Sequence, residues 1–248
     1  MNALEPRSSQ LDGWTFWELD SVASTNLFAA RLPAWSAVRA DTQSAGRGRF
    51  DRKWVSDRGG LWLSAVVPTR AASLRFLPLL AGLAVCDVAR QLGADHVRLR
   101  WPNDVMVLDR KLAGVLFDHF KPGLAVIGIG LNVSNHPAIE DASLKNQAVR
   151  LADILPSPVA CEALTTPLLG RLRALVESWN LGETGLLLSR VNALWDRPRR
   201  VELELNGVSR AGWFAGVDED GKLLLSDDLG VSASYNPEQV LQLIETHE

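Results

Sequence analysis

Large apolar residues alternate with others over Trp14–Leu19, which predicts a strand. Ser21–Asn26 then offers side chains able to cap a helix over Leu27–Leu32, which Pro33 ends. Short strands are predicted over Ala37–Ala40 and Leu61–Val67, on either side of a charged stretch. Beyond Pro68 and Ser73, apolar positions at helical spacing predict a long amphipathic helix over Leu77–Leu92, closed by Gly93. Val97, Leu99 and Trp101 share one face of a half-buried strand, with Arg98 and Arg100 on the other, and Pro102 stops it. Val105–Leu108 and Lys111–Asp118 flank Asp109–Arg110 as a tight hairpin, and Leu124–Val133 pairs after the turn at Lys121–Pro122–Gly123. Helices follow over Gln147–Leu155, over Pro158–Asn180 with Ser157 as cap, and over Glu183–Trp195.

The pattern changes at Pro198. Five short strands separated by tight turns, at Asn206–Gly207 and Asp218–Gly221 among others, fill Val201–Ile244 and read as a small SH3-like barrel. A domain boundary is therefore placed near residue 198, giving residues 1–197 and 198–248.

Composition narrows the function classes. With 47% hydrophobic and 22% charged residues the chain has the balance of a soluble globular protein. Its net charge of −3 argues against nucleic acid as the main partner. No apolar run is long enough to span a bilayer, and no signal-peptide core follows Met1, so a cytoplasmic location without membrane partners is expected. Cys86 and Cys161 sit in apolar helical patterns and read as free thiols, and the four histidines have no zinc spacing. There are nine tryptophans to one tyrosine; most belong to the core, but Trp54 lies in the charged loop.

That loop is the first candidate for chemistry. Between Gly46 and Gly60, Arg47, Arg49, Arg52, Lys53 and Arg58 face only Asp51 and Asp57, a local excess of about three positive charges. Glycine lets backbone N–H groups approach an anion, although the Gly-Lys-Ser/Thr ending of a Walker loop is missing. The second candidate is Ile127–Asn132, where Gly128, Gly130 and Asn132 share one strand face. Such a face is either a trough floor for a flat ligand or a place where a helix packs closely. Lys111 and Gly114 would face the same ligand only through a bulge, and Lys111 alone also reads as an edge charge. Asn103 and Asp104 after Trp101–Pro102 read first as an Asx turn, with the alternative that Asp104 orients an amine or supports a metal.

Ser24-Thr25-Asn26, Gly46-Arg47-Gly48-Arg49 with Trp54, Trp101-Pro102-Asn103-Asp104, Lys111-Leu112-Ala113-Gly114 and Gly128-Ile129-Gly130-Leu131-Asn132 occur in this order. Together they resemble the biotin protein ligases, from about residue 14 to the C-terminus. The resemblance implies an α+β fold, a mixed central sheet flanked by helices as in class II synthetases and biotin/lipoate ligases, followed by the SH3-like barrel. It implies two reactions: biotin and MgATP give biotinoyl-5′-AMP, then a lysine of a biotin carboxyl carrier domain takes the biotinoyl group. Ser24, Thr25, Asn26 and Gln43 would bind biotin, with Gly46, Gly114, Gly128 and Gly130 lining its channel. Arg47 and Lys111 would bind both reactants and carry the catalytic charge, while Asp104 aligns the incoming amine. Arg49 and Trp54 would sandwich adenine, and Asn132 would serve the nucleotide and its metal ion. Two departures stand out: Arg100 where many relatives have lysine, and Phe50-Asp51-Arg52 where many have Arg-Gly-Arg. About 23 residues precede Ser24, too few for the helix-turn-helix of the repressor members, so no operator binding is expected. A homodimer is compatible with the sequence. The alternatives are a lipoate-type ligase and a non-catalytic ligand- or nucleic-acid-binding module.

Overall fold

The computed structural model describes residues 7–69, 71–195 and 199–246. Strands between Arg7 and Leu131 build an eight-stranded sheet ordered β1-β2-β3-β4-β8-β7-β6-β5. These strands are β1 (Arg7–Leu11), β2 (Trp14–Val22), β3 (Ser36–Gln43), β4 (Leu61–Pro68), β5 (Arg98–Arg100), β6 (Asp104–Val107), β7 (Arg110–Lys121) and β8 (Leu124–Leu131). Only β2 and β3 pair in parallel, because α1 (Thr25–Ala29) lies in the crossover between them; every other neighbour is antiparallel.

Strand alternation sends β4 and β8 side chains to two different layers. Leu61, Leu63, Ala65 and Val67 with Ile127, Ile129 and Leu131 enter the main core. There they pack with α2 (Leu77–Gln91), α4 (Cys161–Leu181) and α5 (Thr184–Ala193). Eleven α2 residues are buried, since α2 is enclosed by the sheet and by α4 and α5 rather than lying half in water. On the opposite face a small cluster of Ala29, Val38, Val66 and Val126 seats α1. The rest of that face, toward Gly128 and Gly130, is left for the site.

Strands β9 (Arg199–Leu205), β10 (Val208–Val217), β11 (Leu223–Ser226), β12 (Ser232–Tyr235) and β13 (Val240–Thr246) form an antiparallel sheet ordered β12-β11-β10-β9-β13. These are the five predicted strands, arranged as a barrel-like sheet with no ladder closing β12 onto β13 among the described residues. Leu205 faces Val208 across Asn206–Gly207, and Gly207 has φ +77°, as the hairpin signal required. The boundary expected near residue 198 falls outside the described residues.

Several boundaries differ from the sequence reading. The first helix begins at Thr25 and ends at Ala29, and Ser24 caps it without a side-chain hydrogen bond. The β6–β7 turn is Leu108–Asp109, both at positive φ, with Val107 facing Arg110. Residues 147–155 are not a helix: Ala148 bridges to Lys111 in parallel, and only Leu151–Asp153 forms a short 3-10 turn. The next helix starts at Cys161, so neither Ser157 nor Pro158 begins it. Arg98 is buried rather than on a half-exposed face, because Glu245 of β13 takes its guanidinium at 2.8 and 2.6 Å. Those bonds and Asp109 raise the Arg98 pKa in spite of its burial. Both cysteines are free; Cys86 is buried, which pushes its thiol up to about 12, and Cys161 is half-buried and raised to about 11.

Candidate active site

At one end of the site, α1 points its first turn under the sheet edge. Thr25 donates its backbone N–H (2.8 Å) and its hydroxyl (3.0 Å) to Gln43 Oε1 at the end of β3. Gln43 Nε2 in turn donates to Ser56 Oγ at 2.9 Å. Ser64 Oγ of β4 lies 2.7 Å from Thr25 Oγ1 and 2.6 Å from Asn26 Oδ1. Asn26 Nδ2 donates to Asp118 Oδ2 at 2.8 Å. Ser24, Thr25 and Asn26 are all buried, so this array sets donors and acceptors in a fixed pattern away from water.

The cationic loop between β3 and β4 folds back on itself. Trp54 N donates to Gly46 O (2.9 Å) and Gly48 N to Arg52 O (2.7 Å), while Arg47 bridges to Lys53. A Cβ on Gly46 would lie 2.5 Å from Trp54 O and Ser56 Oγ, so only glycine permits this closure. At the tip Phe50 and Asp51 hold positive φ, 54° and 55°. Arg47 lies 3.7 Å from both Asp51 and Asp118, and its buried Nε has no hydrogen-bond partner among the described residues. Arg49 turns away from the sheet and donates to the carbonyls of Pro237 and, at 2.9 Å, Val240. Burial pulls the Arg49 guanidinium below its ordinary pKa, against the opposing attraction of Asp104.

The β5–β7 hairpins supply a second charged group. Met106 pairs with Lys111 but Val105 with Ala113, so β7 bulges at Leu112. This is the bulge needed for Lys111 and Gly114 to share a face: a Cβ on Gly114 would sit 3.0 Å from Lys111 Cε. Lys111 Nζ lies 2.5 Å from Asp104 Oδ1, and Arg100 Nη2 donates to Asp104 Oδ2 at 2.7 Å. Burial alone would raise the Asp104 pKa, but Lys111 and Arg100 outweigh it and hold the carboxyl below its usual range.

Between these groups lies a cavity of about 440 Å³. Ser24, Thr25, Asn26, Gln43, Arg47, Arg49, Trp54, Asp104, Lys111, Gly114, Gly128, Gly130 and Asn132 all line it. Gly46 does not line it and acts through the loop's fold. The described region that holds this cavity matches known proteins. Residues 18–132 match the model of the Biotin/lipoate A/B protein ligase family. The chain is 36% identical over 237 residues to the bifunctional ligase/repressor BirA of Salmonella typhimurium, covering 89% of this chain and 72% of that protein. It is 34% identical over 231 residues to the biotin--[acetyl-CoA-carboxylase] ligase of Mycobacterium tuberculosis, covering 86% of this chain and 84% of that one.

The chain belongs to the biotin protein ligase family.

A solved structure agrees: the biotin protein ligase from Aquifex aeolicus in complex with biotin and ATP superposes with a TM-score of 0.82 at 25% identity, over 93% of this chain and 99% of that one. Within this ligase fold the contacts of three site features are now specific. The glycine face of β8 is not an open floor. A Cβ on Gly128 would collide with Asn26 Oδ1, and one on Gly130 would lie 2.5 Å from Trp54 Nε1. The glycines make room for those two side chains. Arg49 and Trp54 both line the cavity; Arg49 donates to the C-terminal sheet, while Trp54 lies on Gly130 with Lys111 Nζ 5.1 Å from its ring. Both Asp104 oxygens are engaged by Lys111 and Arg100, so in this arrangement the carboxylate holds cations rather than an amine from outside.

Sequence reasoning also missed residues. Asp118 and Ser64 complete the polar end, Arg100 joins the charged pair, and Leu241–Leu243 of β13 close one wall. Arg100 carried a signal, as a departure from relatives. Asp118 and Ser64 carried none, since both partner Asn26 from 92 and 38 residues away.

Proposed function

We propose that this chain is an AMP-forming biotin–protein ligase, which activates biotin with MgATP and passes the biotinoyl group to a lysine of a biotin carboxyl carrier domain. One observation carries the reading: a single cavity joins a fixed array of hydroxyl and amide groups at Thr25, Gln43, Ser64 and Asn26 to a cationic centre at Arg47, Lys111 and Arg100. The polar end suits a uncharged ring with both N–H and C=O groups, such as the ureido ring of biotin. Buried polar pairing of this kind rejects analogues that lack those groups. The relatives' names specify biotin, which favours this reading over a lipoate ligase.

In the first step a biotin carboxylate oxygen bonds to the α-phosphorus of ATP and the bond to the β-phosphate oxygen breaks, releasing pyrophosphate. In the second, the carrier lysine's neutral amine attacks the acyl carbon, the acyl–oxygen bond to AMP breaks, and the amine loses a proton to solvent. Neither step requires a nucleophile from this chain. Its contribution is to bring two anions together and to hold the charge that develops. Lys111, Arg100 and Asp104 form a group with one net positive charge, in which Asp104 fixes where both cations point. Arg47 has only loose partners at 3.7 Å, so it is the cation best placed to turn onto a phosphate or carboxylate. Trp54 offers the stacking surface for adenine, and Asn132, at the same end of the cavity, faces the nucleotide. Ser24 and the backbone of Gly114, Gly128 and Gly130 border the path of biotin.

Magnesium enters as part of the MgATP substrate. Among the described residues no three acid, histidine or cysteine side chains converge on one point, and the Asn132 carbonyl oxygen already accepts a hydrogen bond from Asn135. Such a donor set fits an ion carried mainly by phosphates and water rather than by a protein cage.

The test is to incubate the protein with MgATP, a carboxyl carrier domain and either biotin or lipoate, and to weigh the carrier. A gain of one biotinoyl group with biotin is expected. A gain only with lipoate, or none with either, refutes the reading.

A further inference from the structure

Asn135 follows β8 by four residues and is fully buried, yet it touches neither the polar end of the cavity nor its cationic centre. Its carboxamide is nevertheless fully committed. Nδ2 donates to Asn132 Oδ1 at 3.1 Å and lies 3.4 Å from Asp57 Oδ1, and Oδ1 accepts from Val133 N at 3.0 Å. Asn132 is itself buried, lines the cavity, and aims its own Nδ2 at Lys111 O, 3.4 Å away. Asp57 belongs to the last turn of the cationic loop and also accepts from His136 N at 2.9 Å. Next to it, Gly59 O accepts from both Ser134 N (2.7 Å) and Asn135 N (3.1 Å). Gly59 has φ +95°, and a Cβ there would lie 2.9 Å from Asn135 N, so the loop's exit is moulded onto this segment.

We infer that Asn135 is a positioning residue: one carboxamide fixes which way the Asn132 amide faces in the cavity and ties that orientation to Asp57 at the base of the cationic loop. The Asn135 Nδ2 donor leaves the Asn132 oxygen on the inner side and its Nδ2 beside the Lys111 carbonyl. Without that donor the Asn132 amide is free to turn over, exchanging an acceptor for a donor where a nucleotide would meet it. The same carboxamide transmits any shift of Asp57 when the loop moves. This inference rests on the ligase reading, and only on its nucleotide half.

The experiment separates the two half-reactions for Asn135→Ala, Asn135→Asp and Asp57→Ala. Biotin-dependent pyrophosphate release reports adenylation, and carrier labelling from preformed biotinoyl-AMP reports transfer without ATP. For Asn135→Ala the KM for ATP should rise on the order of tenfold, the scale of one buried hydrogen bond, with the KM for biotin and the transfer rate within about twofold of wild type. Asn135→Asp should not rescue, since it replaces the donor with an acceptor. Asp57 is only half-buried, so Asp57→Ala tolerates truncation and should raise the ATP KM about threefold in the same direction even if both Asn135 variants fail to fold. Equal losses in adenylation and transfer, or an ATP KM unchanged in the variants that fold, overturn the inference. Wild-type protein that releases no pyrophosphate with biotin overturns the ligase reading instead.

Discussion

Gly130→Ala probes how the site is filled. Gly130 lies on β8 between Trp62 of β4 and Gly114 of β7, and its added methyl carbon would stand 2.5 Å from Trp54 Nε1 and 2.6 Å from Cε2. Carbon and nitrogen atoms rest about 3.5 Å apart, so the indole must retreat by about 1 Å or the strand must shift. Overpacking of this kind costs about 1–3 kcal/mol. In a Trp54→Ala background the obstacle is gone, and replacing a strand glycine should then stabilise by about 0.5–1 kcal/mol. The sign of the effect therefore reverses, giving a coupling of roughly 2–4 kcal/mol in a double-mutant cycle, larger than the roughly 0.5 kcal/mol scatter of independent sites. Thermal melts suffice to read it, at about 2–4 °C per kcal/mol for a chain of this size. Additive melting shifts in the two backgrounds would show that Trp54 does not rest on Gly130, and the account of why this strand carries glycine would be withdrawn.

Other outcomes follow from the charged groups. Arg47→Ala should lower adenylation by about 10²–10³, the range for loss of one preorganised donor, and should let adenylate escape to label bystander lysines in a mixture. Retention of the intermediate as tight as in wild type would refute a part for Arg47 in holding it. Asp104→Asn should destabilise the protein by about 2–3 kcal/mol at pH 7, less than the 3–5 typical of fully buried pairs because Arg100 and Lys111 keep 26% and 29% exposure. The Asp104 pKa is lowered on folding, so its contribution is complete above the unfolded value of about 3.9 and is lost as pH falls through the folded value. The gap between wild type and variant in pH-dependent melts should therefore close in acid and stay constant above about pH 5. Arg49→Ala should raise protease cleavage within residues 44–58 while leaving the fold melting near its wild-type temperature, since the carbonyls of Pro237 and Val240 are its anchors.

The parts of this architecture legible in the sequence are those set by local pattern. Alternation marked β2, β4 and β8 because each strand divides its side chains between two layers. Asn206–Gly207 announced its hairpin because positive φ at Gly207 needs no distant partner. Elements defined by remote partners were misread. Residues 147–150 look helical, yet Lys111 N donates to Gln147 O at 2.7 Å and Val149 N to Lys111 O at 3.0 Å, so pairing with β7 overrides propensity. The turn at Leu108–Asp109 was misplaced by one residue, since Leu108 does not advertise positive φ, although Asp109 does. In the site, every residue expected from the sequence except Gly46 lines the cavity, but the motifs did not say what each one faces. Arg49 belongs to the motif that also holds Trp54, yet it binds the C-terminal sheet almost 190 residues away, which no local pattern announces.

That sheet is better regarded as a wall of the active site than as an appendage. Contacts of three physical kinds fix it to the catalytic sheet and its helices. Trp101 Nε1, at the head of the Asp104 turn, donates to Gly221 O at 2.9 Å, and Asn192 of α5 both donates to Val217 O and accepts from Val217 N. Trp195 stacks on Phe214 with centroids 3.5 Å apart. Glu245, buried on β13 beside its own sheet's Arg199, receives Arg98 of β5, so moving the sheet away would break that ion pair. Flexible hinging would break all three, whereas the Arg49 and Arg52 contacts to the carbonyls of Pro237, Val240 and Leu241 involve only exposed or half-exposed loop side chains and can exchange with water. It follows that movement during turnover belongs to the cationic loop, which lets go of a sheet that stays in place. Leu241–Leu243 of that fixed sheet then bound the cavity on one side whatever the loop does.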